Sequence, residues 1–324
     1  MSLGSLPPEP MPAADPSSAL LTVATGLQTQ GAVRLGMLPA GKPRSTFRRG
    51  PEVFLENKLA VTAAGIFIFM LLFCFVGPHI YQTNQLQVNF LLQEKPPSGS
   101  HLLGTDAHGF DVLGRLMIAG QISLEVGIAA ALLGTVVGVL WGAVAGYIGG
   151  VVDSFMMRIV DAMLSIPTLF LALVVVSMIT PTKPVLILVI ALTSWLTTSR
   201  LVRGEALSLR TRDYIQAMKV MGGGNTRAVL RHIAPNAIGT IMVNATFQVA
   251  DAIALVVALS YLGLGVPPPQ QDWGGMLSYG VQYVYDGYWW QIFPAGFCII
   301  IVITAAIFIG EGLRDAVEVR LQRR

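Results

Sequence analysis

Past residue 50 the chain alternates long apolar runs with short polar links. Six runs, at about 59–81, 118–147, 162–180, 185–201, 237–264 and 289–310, are each long enough to cross a hydrocarbon core that takes about 17–25 helical residues. Between the third and fourth, Thr180 to Pro184 carries two prolines, which remove backbone donors and force a turn, so the pattern predicts two spans there. One long polar link, residues 202–236, interrupts the series. Within it Tyr214, Ile215, Met218 and Met221 repeat at helical spacing among Arg210, Arg212, Lys219 and Arg227. Gly222, Gly223 and Gly224 then predict a stop, before a second basic helical stretch from Thr226 to Ile233 that ends near Pro235.

Composition turns these runs into membrane spans. Of 324 residues, 53% are apolar and 12% charged, with mean hydropathy +0.64. Water-soluble domains carry about twice that share of charge, so the excess apolar surface faces lipid or a buried bundle. The expectation is an all-α, polytopic membrane protein.

Net charge is only +3, but its placement is informative. Eighteen of the 21 lysines and arginines fall in one alternating set of links and three in the other. The positive-inside rule then places both termini and the 202–236 link in the cytoplasm. The link before the last run carries Trp273, Tyr279, Tyr283, Tyr285, Tyr288, Trp289 and Trp290, which reads as an aromatic belt at the opposite interface.

Residues 1–50, rich in proline, alanine, glycine and serine, read as a disordered cytoplasmic tail ahead of a single six-span domain at 51–324. The start does not read as a secretory signal, because its first basic residue is Arg34. The tail holds a decoy, Gly36, Gly41 and Lys42, spaced like a phosphate-binding loop. Pro43 stands where the magnesium-binding hydroxyl belongs, so no nucleotide site is expected in this chain. Cys74 and Cys298 lie in apolar runs without metal-ligand spacing and read as small core side chains, with no metal expected.

Three features inside the spans carry candidate chemistry. Gly134, Gly138, Gly142 and Gly146 recur every four residues and bare one helix face for close packing, within the bundle or against a second subunit. Thr240, Asn244, Gln248 and Asp251 fall on one face of the fifth helix. Two readings stand for this stripe: the wall of a solute pathway, or hydrogen-bonding glue between helices. Glu125 and Asp161 sit nearer span ends, where a neighbour such as Arg158 can satisfy an acid, and read as structural.

The run YIQAMKVMGGGNTRAVLRHIAPNA resembles the cytoplasmic "EAA" loop of ABC-importer permeases. HLLGTDAHGFDVLGR, GYIGGVVDSFMMRIVDAMLSIPTLFLAL, SYLGLGVPPPQQDWGGML and GEGLRDAVEVRLQ are similar to the C-type permease of dipeptide and oligopeptide (peptide/nickel) importers. The resemblance runs in order from about Glu52 to the C-terminus. It departs at Gln216, where the loop's Glu is usual, at Met218, where a small residue is usual, and at Phe110, which replaces a common Arg.

The resemblance implies the type I ABC-importer permease fold, in a multi-pass subunit of the bacterial inner membrane. It implies a homologous B-type permease beside this chain, two cytoplasmic ATPases or one fused ATPase, and an extracytoplasmic solute-binding protein. ATP and magnesium would be bound by the ATPases, with no cofactor, catalysis or nucleic acid assigned to this chain. Arg212, Asp213, Tyr214, Ile215, Gln216, Ala217, Met218, Met221 and Gly222 would form the helix that couples ATPase movement to the spans. Two other classes compete. A proton-coupled secondary transporter would use Asp251 or Glu125 as carrier and favour two related halves, and no clear internal repeat is found. A non-transporting membrane scaffold would need the loop but not the polar stripe.

Overall fold

The computed structural model describes residues 53–85 and 87–322. The tail at 1–50 and its decoy loop lie outside these residues. Among them the chain is helical, with one isolated bridge between Thr105 and Asp111. The principal helices are α1 (Lys58–Phe75), α2 (Val112–Ile148), α3 (Gly150–Leu164), α4 (Thr168–Ser177), α5 (Lys183–Leu209), α6 (Asp213–Val220), α7 (Ile238–Leu259), α8 (Trp273–Gly280) and α9 (Phe293–Gln322).

Helix starts follow from short acceptor side chains. Asn57 accepts from the amides of Leu59 and Ala60, Asp111 from Gly114 and Asp272 from Gly275, each filling a donor that the first turn leaves orphaned. The end of α2 is set by Gly149 and Gly150, at φ 72° and 60°, a left-handed region that side-chain-bearing residues avoid.

Five helices are long and apolar enough to cross a membrane, and a sixth crossing exists if the bent pair α3 and α4 counts as one. That pair departs from the hydropathy reading, which places a straight span at 162–180. Instead α3 begins at Gly150, and its axis turns by 82° into α4 across Ser165 to Pro167, where Pro167 cannot donate. Helix α5 also runs past the expected end at 201. Its two arginines do not stop it, because α3 supplies their counter-charges. Arg203 binds Asp153 through Nε at 2.5 Å and Nη2 at 2.7 Å, and Arg200 reaches Asp161 at 2.5 Å. Arg200, not Arg158, is therefore the partner of Asp161. Glu125 pairs with Lys183 at 2.8 Å.

The glycine stripe of α2 packs inside the bundle, against α5. A methyl at Gly138 would stand 2.7 Å from the Trp195 carbonyl, one at Gly146 2.6 Å from that of Arg203, and one at Gly142 would collide with the carbonyl of Ser199. Gly134 is less crowded, a methyl there standing 3.1 Å from Ser194 Cβ. Without Cβ atoms the two backbones meet directly, the contact that drives helix association where lipid gives no hydrophobic incentive.

First and last helices also meet. Asn57 Nδ2 donates to Asp315 Oδ2 at 3.3 Å, Gly312 leaves no room for a methyl beside Ala60, and Met70 and Cys74 share a core cluster with Cys298, Ile299 and Val302. At the far end of the bundle Trp273 is fully buried, donating from Nε1 to the Leu116 carbonyl at 2.9 Å, and Trp290 donates to the Thr105 carbonyl at 3.1 Å. These two tryptophans belong to the core and not to the belt expected there. Tyr279, Tyr285 and Trp289 are the exposed aromatics of that segment.

Candidate functional site

The 202–236 link closes the end of the bundle at which α1 begins and α9 finishes. Helix α6 occupies Asp213–Val220, preceded by Arg212, whose carbonyl accepts from the amides of Ile215 at 3.0 Å and Gln216 at 3.1 Å. Its stop is made by backbone geometry. Gly222 has φ 81°, and the amide of Gly223 donates back to the Met218 carbonyl at 2.9 Å, the six-to-one bond of a Schellman turn.

The apolar positions of this helix divide into two groups. Ile215 is fully buried and Met218 nearly so, in a cluster with Ala143 and Tyr147 of α2, Val202 and Ala206 of α5, and Ile241 of α7. Val220 and Met221 stand 89% and 80% exposed, with Tyr214, Gln216, Ala217, Asp213 and Arg212 also exposed. The single apolar face expected from spacing is thus split: the bundle itself takes half. Gln216 Nε2 donates to the Arg210 carbonyl at the end of α5, at 2.9 Å, a bond an ionised glutamate, which only accepts, could not make.

The following segment packs beneath α6. Asn225–Arg227 leads into a π-helical turn at Ala228–Ile233, where Ala228, Val229 and Ile233 are buried in the same cluster. A wide turn of this kind has one extra residue per hydrogen-bonded loop and is common at functional positions.

The polar stripe of α7 is divided as well. Thr240 Oγ1 donates to Glu205 Oε1 at 3.0 Å and Asn244 Nδ2 to Thr198 Oγ1 at 2.8 Å. Gln248 is buried and joins three helices: Oε1 accepts from Thr135 of α2 at 2.6 Å and from Thr198 of α5 at 3.4 Å, while Nε2 donates to the Ser194 carbonyl. These three residues tie α7 to its neighbours. Asp251 is different, being exposed and without a hydrogen bond or ion pair among the described residues. The contrast with Glu125, Asp153, Asp161 and Glu205, all partnered, was not legible from spacing, since it depends on which helix stands alongside at each depth.

The other end of the bundle holds a structure that sequence reasoning missed. Two adjoining clefts, of about 650 and 440 Å³, share Arg115, Pro269, Gln270 and Gln271 as a common wall. Beside the smaller cleft, Asp111 Oδ2 accepts from Tyr81 at 2.9 Å and lies 2.9 Å from His101 Nδ1, while the Asp111 carbonyl accepts from Gln85 Nε2 at 3.2 Å. Asp272 Oδ2 accepts from Ser260 Oγ at 2.6 Å, fixing α8 to the end of α7. Burial pushes the Asp272 carboxyl up from its ordinary range, against the lowering effect of the Ser260 hydroxyl and backbone amides. The run of polar residues after three prolines, Gln270 to Asp272, was the available signal.

Comparison with known proteins agrees with this architecture. Residues 138–323 match the model of a binding-protein-dependent transport system inner membrane component, and residues 45–97 match the N-terminal transmembrane domain of oligopeptide transport permease C. The chain is 36% identical over 270 residues to the oligopeptide transport system permease protein OppC of Bacillus subtilis, covering 83% of this chain and 88% of that protein. It is 35% identical to the dipeptide transport system permease protein DppC of the same organism, over 83% of this chain and 84% of that one. With OppC of Salmonella typhimurium the identity is 36%, over 85% and 91%.

Proposed function

The chain belongs to the family of binding-protein-dependent transport system inner membrane components, and from that membership we propose that it is the C-type permease of an ATP-driven importer of short peptides. A homologous second permease completes the pathway, ATPase subunits on the cytoplasmic side bind ATP and magnesium, and an extracytoplasmic binding protein delivers the solute. In this reading both termini and α6 are cytoplasmic, residues 51–324 form one permease domain, and the clefts face outward.

The observation that carries the coupling role is the division of α6. Ile215 and Met218 fasten it to α2, α5 and α7, while Val220 and Met221 project away from the bundle. Apolar side chains exposed on a short, well-stopped helix suit a groove on a partner protein. Movement of that partner would push α6 as a lever, and the same three helices are joined at depth by Gln248. Asp251, exposed and unpaired among the described residues, would border the pathway between the two permeases, where water or a polar group can satisfy it.

The test is uptake of radiolabelled peptides by vesicles holding the whole complex. Uptake should vanish when the ATPase subunits are inactivated and persist with a protonophore at clamped ATP. Asp251 is also the feature a proton-coupled transporter would need, and the reverse result would establish that reading.

A further inference from the structure

Arg115 is the least satisfied charge in the outer clefts. Its side chain is 13% exposed, yet its one side-chain hydrogen bond among the described residues runs from Nε to Gln271 Oε1 at 2.5 Å. The Asp106 carboxylate stays 3.7 Å from Nε, beyond hydrogen-bond length, and the Phe110 ring lies 4.4 Å beneath the guanidinium carbon. A guanidinium has five N–H donors, so the four on its two Nη atoms remain for a ligand. Burying such a group with so few bonds is costly unless something completes it.

Two further groups point the same way. Gln291, 6% exposed, lines the larger cleft, and its Nε2 has no hydrogen-bond partner among the described residues. Gln85 lines the smaller cleft, and its Oε1 is likewise buried without a partner among the described residues, although its Nε2 holds Thr83 and the Asp111 carbonyl. One cleft thus offers an amide donor, the other an amide acceptor, and a guanidinium stands in the wall between them. Prolines 267 to 269 supply a rigid rim with no donors of their own.

We propose that the paired clefts bind a short peptide by its free C-terminal carboxylate, held by the Nη atoms of Arg115. Gln291 Nε2 donates to a peptide carbonyl and Gln85 Oε1 accepts from a peptide N–H after small rotations of their amides. A planar carboxylate matches the guanidinium fork with two parallel bonds. A volume of about 650 Å³ lies within the range of small-ligand sites. The inference rests on the peptide-importer reading and adds the chemical group recognised and the residue that recognises it.

The test uses the assembled complex in vesicles, without nucleotide, with a cysteine placed at Ser278 in the cleft wall. Its labelling by a small water-soluble maleimide is followed in the presence of a random mixture of short peptides, either free acids or C-terminally amidated. The free acids should slow labelling several-fold and the amidated mixture should not. Arg115→Gln should abolish the protection. Because Arg115 also holds Gln271, Gln291→Leu serves as the second variant. It removes an amide without a partner, so the complex should be recovered in normal yield while protection weakens several-fold. Equal protection by both mixtures, none by either, or full protection in Arg115→Gln would overturn the assignment. Peptide uptake by the unaltered complex is scored separately. Normal uptake without acid-specific protection defeats this site alone, whereas absence of all peptide uptake defeats the importer reading and this inference with it.

Discussion

Asp153 receives two parallel hydrogen bonds from Arg203, at 2.5 and 2.7 Å, and so fastens the bent helix α3 to α5. Asp153 is nearly buried and Arg203 about one-third exposed, which places the pair between a surface and a buried ion pair. Asp153→Ala should destabilise the subunit by about 1–3 kcal/mol, the range for losing bonds to a charged group. Asp153→Asn, which keeps the shape and one acceptor, should cost less. Loss of monodispersity on heating in detergent orders the variants, and equal stability of all three would show that the pair contributes nothing.

Close approach of α2 to α5 makes a graded prediction for glycines. Gly142→Ala should cost about 1–3 kcal/mol, as overpacking does, because its methyl meets backbone and not a movable side chain. Gly65→Ala in α1 meets nothing within 4 Å and should be neutral or stabilising by up to ~1 kcal/mol from helix propensity. Thermal stability of the two variants side by side is the measurement.

For the stop of α6, open space surrounds Gly222, so only its positive φ matters. Gly222→Asn, which tolerates that region, should retain coupled uptake. Gly222→Val should cost about 1–2 kcal/mol locally and lower peptide uptake per ATP hydrolysed while the complex still assembles. Paired uptake and hydrolysis rates in vesicles decide it. Normal coupling in Gly222→Val would dissociate this turn from function.

The division of the α7 stripe predicts opposite behaviour from two neighbours. A cysteine at Gln248 should resist water-soluble thiol reagents, and Gln248→Leu should weaken the subunit by roughly 1–2 kcal/mol through lost interhelical bonds. A cysteine at Asp251 should react, and Asp251→Asn should alter transport while leaving stability unchanged. Rapid labelling at 248 would mean that the helices part there.

Asp272 gives a pH dependence. Its carboxyl is raised above the ordinary value of 3.8, so the folded state holds the proton more tightly than the unfolded chain. The corresponding stabilisation is fully present below that ordinary value and disappears as pH rises through the raised one. Asp272→Asn keeps an N-cap and a hydrogen-bonding partner for Ser260 without the charge. It should therefore match the parent near pH 4 and exceed its thermal stability at pH 8. A difference independent of pH would show that the charge of Asp272 does not matter.

Much of the helical framework was legible because apolar length alone marks a spanning helix. The face carrying Gly134 to Gly146 was legible too, since four-residue spacing fixes a side of α2. What fills that face was not, because Trp195, Ser199 and Arg203 lie more than fifty residues away. A separation of 39 residues likewise hid the pairing of Asp161 with Arg200, and with it the continuation of α5 beyond the apolar run. Helical spacing marked Ile215, Met218 and Met221 as one group, but only the neighbouring α2, α5 and α7 decide which of them are covered. The outer clefts draw on Gln85, Arg115, Gln271 and Gln291, four segments whose convergence no local pattern encodes.

The contact between α1 and α9 has a consequence for how the chain is made. Helix α9, which receives Asn57 and Ala60, begins at Phe293, more than 200 residues after α1 ends at Phe75, and so leaves the ribosome much later. At ~5–20 residues per second the wait is roughly ten to fifty seconds. For that period the side of α1 that ends against Cys298 and Val302 faces lipid or an insertion factor. A chain cut short before α9 would leave this side permanently open.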